Sequence, residues 1–284
     1  MAGTHRTGHS EGSRALPDAR LRRFVSSYEG YRLSGFEAGT HIGMPGPLLT
    51  VIVAIDSTLD ISDSPRQGAC SFETLASGIS AAPVTIVHDG TQHGIQLSLT
   101  PAGARALFRL PTAALGDWMV DLSEVLPDTR ELTDRIAAEP SWEGRFEILD
   151  DILCRSLIEP ELDPTLTEAW RQLVLSGGSV RVDQVARDIG WSRRHLINRF
   201  SAEFGVTPKE SARIARFHRS HQMLRRPAAP LLADVAAQCG YYDQAHMARE
   251  WRELAGSSPT QWRRGEQFAF VQDGGEVTEK TLQS

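Results

Sequence analysis

The chain has 284 residues, enough for two domains with separate cores, and 40% of them are hydrophobic, a globular rather than a disordered composition. No run approaches the roughly 18 uninterrupted apolar residues of a membrane helix, and the start, MAGTHRTGHSEGSRALPDAR, lacks an apolar signal core, so a cytoplasmic protein without a membrane partner is expected. The net charge of −6 hides a sharp division: residues 171–264 carry 16 Lys+Arg against 8 Asp+Glu, whereas residues 1–170 carry 13 against 24. A basic block beside an acidic one is the footprint of a nucleic-acid reader joined to a domain with another task.

In chain order, residues 1–20 read as a flexible leader, rich in Gly, Ser, His and Arg with no periodicity. A first domain is expected over 21–160. Between Tyr28 and Leu99 it shows short β-like runs, LLTVIVAID at 48–56, APVTIVHDG at 82–90 and GIQLSLT at 94–100, which predict a small β-barrel or sandwich. Asp89-Gly90 between the last two runs predicts a hairpin turn. From Pro101 the pattern becomes helical, through AGARALF, DLSEVL, LTDRIAA and SWEGRFEILDDILCRSLIE. Phe146, Leu149, Ile152, Leu153 and Leu157 form one stripe, suited either to this domain's own barrel or to a second copy of the chain. Pro160 and Pro164 bracket an acidic stretch taken as a linker, 161–165. Residues 166–264 are helical in pattern, and 265–284 read as a flexible tail.

The helical part contains a repeat. At an offset of 50, Val185-Ala186 falls on Val235-Ala236 and Gly190-Trp191 on Gly240-Tyr241. At 51, after one inserted residue, His195-Leu196 falls on His246-Met247, Phe200 on Trp251, Gly205 on Gly256 and Pro208 on Pro259. Each unit has helix-turn-helix chemistry: a first helix with a small residue at Ala186 or Ala236, a helix-ending glycine, then Ser192 or Asp243 as N-cap of a second helix, 192–204 or 243–255. Leu196 and Phe200, or Met247 and Trp251, form its buried side. The other side offers Arg193, Arg194, His195, Asn198 and Arg199, or Gln244, His246 and Arg249, side chains suited to guanine, adenine and phosphate. Thr207-Pro208-Lys209-Glu210 is a capping box opening a helix to about Leu224, some 25 Å long at the usual rise. Such a rod suits two reading heads about 34 Å, one DNA turn, apart. Ser258-Pro259-Thr260-Gln261 repeats the cap before a short helix whose Trp262 is expected to cover the second core.

This pair of units, closing with GYYDQAHMAREWRELAGSSPTQWRR, resembles the DNA-binding domain of the AraC/XylS family of bacterial regulators over about residues 164–264. The resemblance implies that Arg194, Ile197 and Asn198, and Ala245, Ala248 and Arg249, face base edges, with Gln244 beside them. Ile197 and the alanines offer only apolar contact to thymine methyls. The first helices depart from the family in having Arg181 and Leu231 where a Ser or Thr cap is usual. The resemblance further implies an α+β chain with a cupin-like N-terminal barrel that binds a small effector, dimerises, or both. It also implies a promoter as partner, with RNA polymerase recruited or blocked, activation being favoured.

Tyr28, Tyr31, Phe36, His41 and Trp118 are the candidates for an effector pocket, although aromatics in a small barrel are more often plain core. An enzyme is the competing class. His41, His88 and His93 lack the closely spaced His-x-His plus carboxylate of metal-binding cupins, and Cys70, Cys154 and Cys239 have neither metal-site spacing nor an adjacent base, so no catalytic residue, metal or cofactor is expected. A helical protein adaptor is the third class, separable because it would show no salt-sensitive duplex binding.

Overall fold

The computed structural model describes residues 8–226, 228 and 230–265. Residues 9–120 supply two antiparallel sheets. The larger contains β1 (His9–Ala15), β2 (Val25–Ser34), β9 (Gln92–Leu99), β4 (Leu49–Ala54), β7 (Thr74–Ser77) and β10 (Met119–Val120), in that spatial order. The smaller runs β3 (Gly39–Gly43), β8 (Val84–His88), β5 (Leu59–Asp63) and β6 (Cys70–Phe72). The three β-like runs of the sequence correspond to β4, β8 and β9.

Two expectations are corrected here. Residues 9–15, read as part of a flexible leader, pair with β2 in continuous register from His9↔Ser34 to Ala15↔Tyr28; residues 1–7 lie outside the described residues. Asp89-Gly90 is not a hairpin, because β8 pairs with β3 and β5 whereas β9 pairs with β2 and β4. The turn chemistry is real, with Gly90 at φ +99° and Asp89 accepting from the Thr91 amide at 2.9 Å, but it carries the chain from one sheet to the other.

A helical layer covers the larger sheet. Thr100 caps α1 (Pro101–Gly103), which continues as a π-helical stretch, Ala104–Phe108. Then come α2 (Thr112–Leu115), a 3-10 turn (Leu122–Glu124), α3 (Thr129–Ala138) and α4 (Trp142–Ser156). The apolar stripe of α4 packs on the chain's own sheet: Phe146, Leu149, Ile152 and Leu153 are buried, the Phe146 ring stacks 5.8 Å from that of Tyr28, and the Tyr28 hydroxyl donates to Asp150 at 2.8 Å. Burying each such aliphatic side chain contributes roughly 1.5–3 kcal/mol.

The helical half is α5 (Pro164–Leu175), α6 (Val182–Asp188), α7 (Arg193–Phe204), α8 (Pro208–Leu224), α9 (Leu232–Gln238), α10 (Gln244–Ala255) and α11 (Pro259–Gly265). Of the expected linker, Pro164 and Thr165 are already helical, with Asp163 accepting from the Thr165 amide at 2.9 Å; the expected tail beyond Gly265 lies outside the described residues. One core runs unbroken from Leu49, Ile95 and Leu149 through Leu166 and Trp170 to Leu196, Phe200 and Phe204. The second unit has a core of its own, Val235, Met247, Trp251 and Trp262 on Phe217 and Met223, against which Met44 and Ala81 of the β half pack. The fold is therefore α+β, antiparallel sheets followed by an all-helical region.

Candidate nucleic-acid interface

The two helical units repeat down to individual hydrogen bonds. α6 ends with Gly190 at φ +74° and α9 with Gly240 at φ +75°, a left-handed conformation that glycine adopts without Cβ strain. In each, the glycine amide donates three residues back (Gly190 to Arg187, 3.1 Å; Gly240 to Ala237, 3.2 Å) and the following aromatic donates five back (Trp191 to Ala186 and Tyr241 to Ala236). This double closure of a helix C-terminus reverses the chain sharply. The second helix then starts on its expected cap, Ser192 accepting from the His195 amide at 3.2 Å and Asp243 from the His246 amide at 2.6 Å. Arg181 and Leu231 supply no side-chain cap to the first helices, as their chemistry dictates.

The buried side of each second helix anchors it differently. Leu196 and Phe200 of α7 sit in the core shared with the β half, the Phe200 and Phe204 rings 4.4 Å apart. α10 is fixed to α8: the Trp251 indole donates to Ser220 Oγ at 2.9 Å, and Glu250, 7% exposed, receives Arg216 at 2.9 and 3.2 Å with Arg213 at 3.4 Å. α8 opens with the expected capping box, Thr207 accepting from the Glu210 amide while Glu210 accepts from the Thr207 amide at 2.8 Å. Trp262 closes the second core, 5.6 Å from Trp251.

The opposite side is polar and open. Ser192, Arg193, Arg194, His195, Asn198 and Arg199 on α7, and Asp243, Gln244, Ala245 and Arg249 on α10, are exposed; Ile197 and Ala248 are half-buried. Their states differ. Arg194 and Arg249 form no ion pair among the described residues, whereas Arg193 reaches Asp183 at 3.3 Å and Arg199 reaches Asp163 at 3.5 Å. His246 is half-buried and locally engaged, its Nδ1 accepting from the Tyr242 amide at 3.2 Å and its Nε2 lying 3.5 Å from Glu250. The two units share one groove of about 840 Å³: Arg193 of α7 and His246 and Arg249 of α10 line it together with Lys209, Arg213 and Arg216 of α8. The α8 cations carry no distinct signal in the sequence, because their spacing is that of an ordinary solvated helix face. Equally unannounced is the bond between Arg105, in the π-helical stretch, and Glu203 on the last turn of α7, at 2.9 and 2.6 Å.

The five effector candidates do not converge. Tyr28 is committed to Asp150 and Phe146 under α4; Tyr31 clusters with Leu33 and Phe36; Trp118 is 46% exposed. His41 sits 5.7 Å from the His88 ring, while His93 lies elsewhere, 3.2 Å from Asp56. None of the five lines the cavity that the two sheets do enclose, a space of about 80 Å³ walled by residues including Leu48, Thr50, Ile52, Ile61, Leu75, Ser77, Ile86 and Met119. Tyr28, Tyr31 and His41 are buried at separate places in the strands, and mainly aliphatic side chains wall the cavity instead. Cys239 is buried and Cys70 and Cys154 half-buried, all three as free thiols. Among the described residues no group of three or more His, Cys, Asp or Glu is placed to hold a metal, and no helix is long and apolar enough to cross a membrane.

Residues 166–265 match the helix-turn-helix domain family. An uncharacterized HTH-type transcriptional regulator of Bacillus subtilis (strain 168), YbfI, is 30% identical over 69 residues, a match spanning 24% of each chain, about a quarter of that relative's length. A crystal structure of an AraC-type DNA-binding domain-containing transcriptional regulator from Chromobacterium violaceum is 24% identical, covering 36% of this chain and 90% of that one, with a TM-score of 0.33. A crystal structure of an apo ToxT variant from Vibrio cholerae strain SCE256 is 10% identical but covers 88% of this chain and 99% of that one, with a TM-score of 0.51, a likeness of fold alone. The fold and repeated site thus define a double helix-turn-helix domain. Residues 166–265 belong to its AraC type.

Proposed function

We propose that the protein is a sequence-specific DNA-binding regulator of transcription, in which residues 166–264 read a promoter and residues 21–160 control the reading. The observation that carries this is the shared groove, in which side chains of both second helices stand on one side of α8. Cations on that side meet phosphates, and Arg194, Asn198, Gln244 and Arg249 address base edges in successive major grooves. Arg193 and Arg199 exchange Asp183 and Asp163 for phosphate on binding, so their ion pairs hold them extended in the free protein. Ile197, Ala245 and Ala248 contribute contact to thymine methyls. Ser192, Asp243 and His246 shape the helix starts rather than read bases. The protein acts as a homodimer on repeated sites and works through RNA polymerase, most simply as an activator, from the cytoplasm.

Control enters through the cavity between the sheets. Its walls carry no charged side chain, and its polar groups are the hydroxyls of Thr50, Ser77 and Ser80, so the effector it suits is small, uncharged and largely apolar. The loop after β3 links it to the reader: Met44, Pro45 and Gly46 line the cavity, Met44 packs on the core of the second unit, and a Cβ on Gly46 would lie 3.8 Å from His218 of α8.

The test is duplex binding by the purified full chain across a salt series. Counterion release predicts affinity falling steeply, by about a thousandfold or more between roughly 50 and 200 mM salt for six or more phosphate contacts. A chain that binds no duplex at low salt is not a regulator of this kind.

A further inference from the structure

On the outer side of the larger sheet, remote from both the cavity and the helical groove, a cleft of about 290 Å³ opens between the strands and the α3–α4 turn. Glu11, Arg32 and His93 form one row across β1, β2 and β9, each the register partner of the next, and Arg145 and Trp142 from the first turn of α4 face them. Gly30 lets the indole lie directly on β2, where a Cβ would stand 2.3 Å from the ring, and the indole N–H donates to Glu11 at 3.1 Å.

Arg145 is the unusual member. It is 6% exposed, yet no carboxylate lies within 4.0 Å of it, or of Arg32, among the described residues. Its Nε donates to the Ile136 carbonyl at 3.3 Å, at the end of α3, and its Nη1 to Nε2 of His93 at 3.1 Å. That bond sets the imidazole tautomer, so Nδ1–H donates to Asp56 at 3.2 Å and a neutral ring stands between the guanidinium and that acid. The guanidinium lies 5.0 Å from the Trp142 ring centroid, Arg145 lines the cleft, and its Nη2 has no hydrogen bond among the described residues. Asp56, Glu139 and Glu11 act on the Arg145 charge only from beyond ion-pair distance, so none of them takes up its hydrogen-bonding edge, and a guanidinium edge matches the two oxygens of a carboxylate.

We propose that this cleft binds a small organic monocarboxylate, its carboxylate held by Arg145 and Arg32 and its apolar body against Trp142, Ala137 and Pro140. Glu11 and Asp56, tied to Trp142 and His93, border the same space and disfavour a more highly charged anion such as phosphate. The cleft is larger than an inorganic ion needs, and the apolar walls ask for carbon beside the charge. This site is independent of the DNA-reading proposal.

Calorimetric titration of the full chain tests it with cyclohexanecarboxylate, the neutral cyclohexanecarboxamide and inorganic phosphate. One equivalent of the carboxylate is expected to bind, with the amide at least about tenfold weaker and phosphate silent. Arg145→Lys is expected to abolish the heat, and Arg32→Ala, a change at an exposed strand position that leaves the fold intact, to weaken binding about fivefold or more. Absence of carboxylate binding, equal binding of acid and amide, phosphate binding as tightly as the acid, or an unaltered Arg32→Ala variant would each overturn the assignment.

Discussion

Arg105 of the N-terminal half donates to both carboxylate oxygens of Glu203 on α7 through one edge of its guanidinium, Nε at 2.9 Å and Nη2 at 2.6 Å, across 98 residues of sequence. The Glu203 side chain is 10% exposed and that of Arg105 31%, so the pair sits at the margin where the N-terminal half meets α7. Gly205 at the end of α7 comes close to α2 at the same place.

Arg105→Ala leaves a nearly buried carboxylate without its partner, and a loss of about 1–3 kcal/mol in urea unfolding is expected. Because Arg105 is partly solvated, the pairwise coupling from a double-mutant cycle with Glu203→Gln should be smaller, about 1 kcal/mol. A coupling indistinguishable from zero would make the contact incidental.

The residues proposed to meet DNA separate by their states in the free protein. Arg194→Ala and Arg249→Ala are each expected to cost about 1–3 kcal/mol of affinity and to relax base preference at one half-site, measured by competition among point-substituted duplexes. Arg193→Ala should instead weaken all duplexes alike and lower the salt slope by about one. If Arg194→Ala weakens every sequence equally, that residue meets phosphate rather than a base.

What could be read from the sequence was whatever is decided locally. Ser192, Thr207, Asp243 and Ser258 were legible as caps, and Gly190 and Gly240 as helix ends, because a few neighbouring residues determine those hydrogen bonds. β2 was not: VSSYEGYRLS is covered by α4 on one side and the inter-sheet core on the other, so it lacks the alternation of a half-exposed strand. Asp89-Gly90 showed its turn but not its destination, since the same chemistry serves a hairpin and a crossing between sheets. Partners distant in sequence, such as Arg105 with Glu203 or Trp142 with Glu11, leave no local signal at all.

Acid should weaken the fold through α8. Burial, with Arg225 nearby, pushes His218 and His221 down to about 3, while an unfolded chain protonates them near the ordinary histidine value. Stability is then flat above about pH 6.5 and falls as pH drops from there toward 3, because only the unfolded state takes up the protons, by about 1.4 kcal/mol per pH unit for each histidine. Urea midpoints at pH 7.5 and 5 measure this, and equal midpoints would show that the imidazoles are not held neutral. The His221 ring is 4.6 Å from Trp262, so indole fluorescence should report the change.

A cap at the edge of the groove separates stability from base reading. Thr207→Ala removes half of the box that starts α8 and should lower stability by about 0.5–2 kcal/mol without altering base preference, as read from thermal unfolding and duplex competition. A shift in preferred sequence would mean that the start of α8 also positions a reading head.

The most direct measurement is selection of bound duplexes from a random pool by the purified full chain, followed by sequencing. Two short preferred motifs should emerge with centres roughly one helical turn, about 10 base pairs, apart on one face. A single motif that tolerates any flanking sequence at that distance would contradict two heads reading one duplex from a common rod.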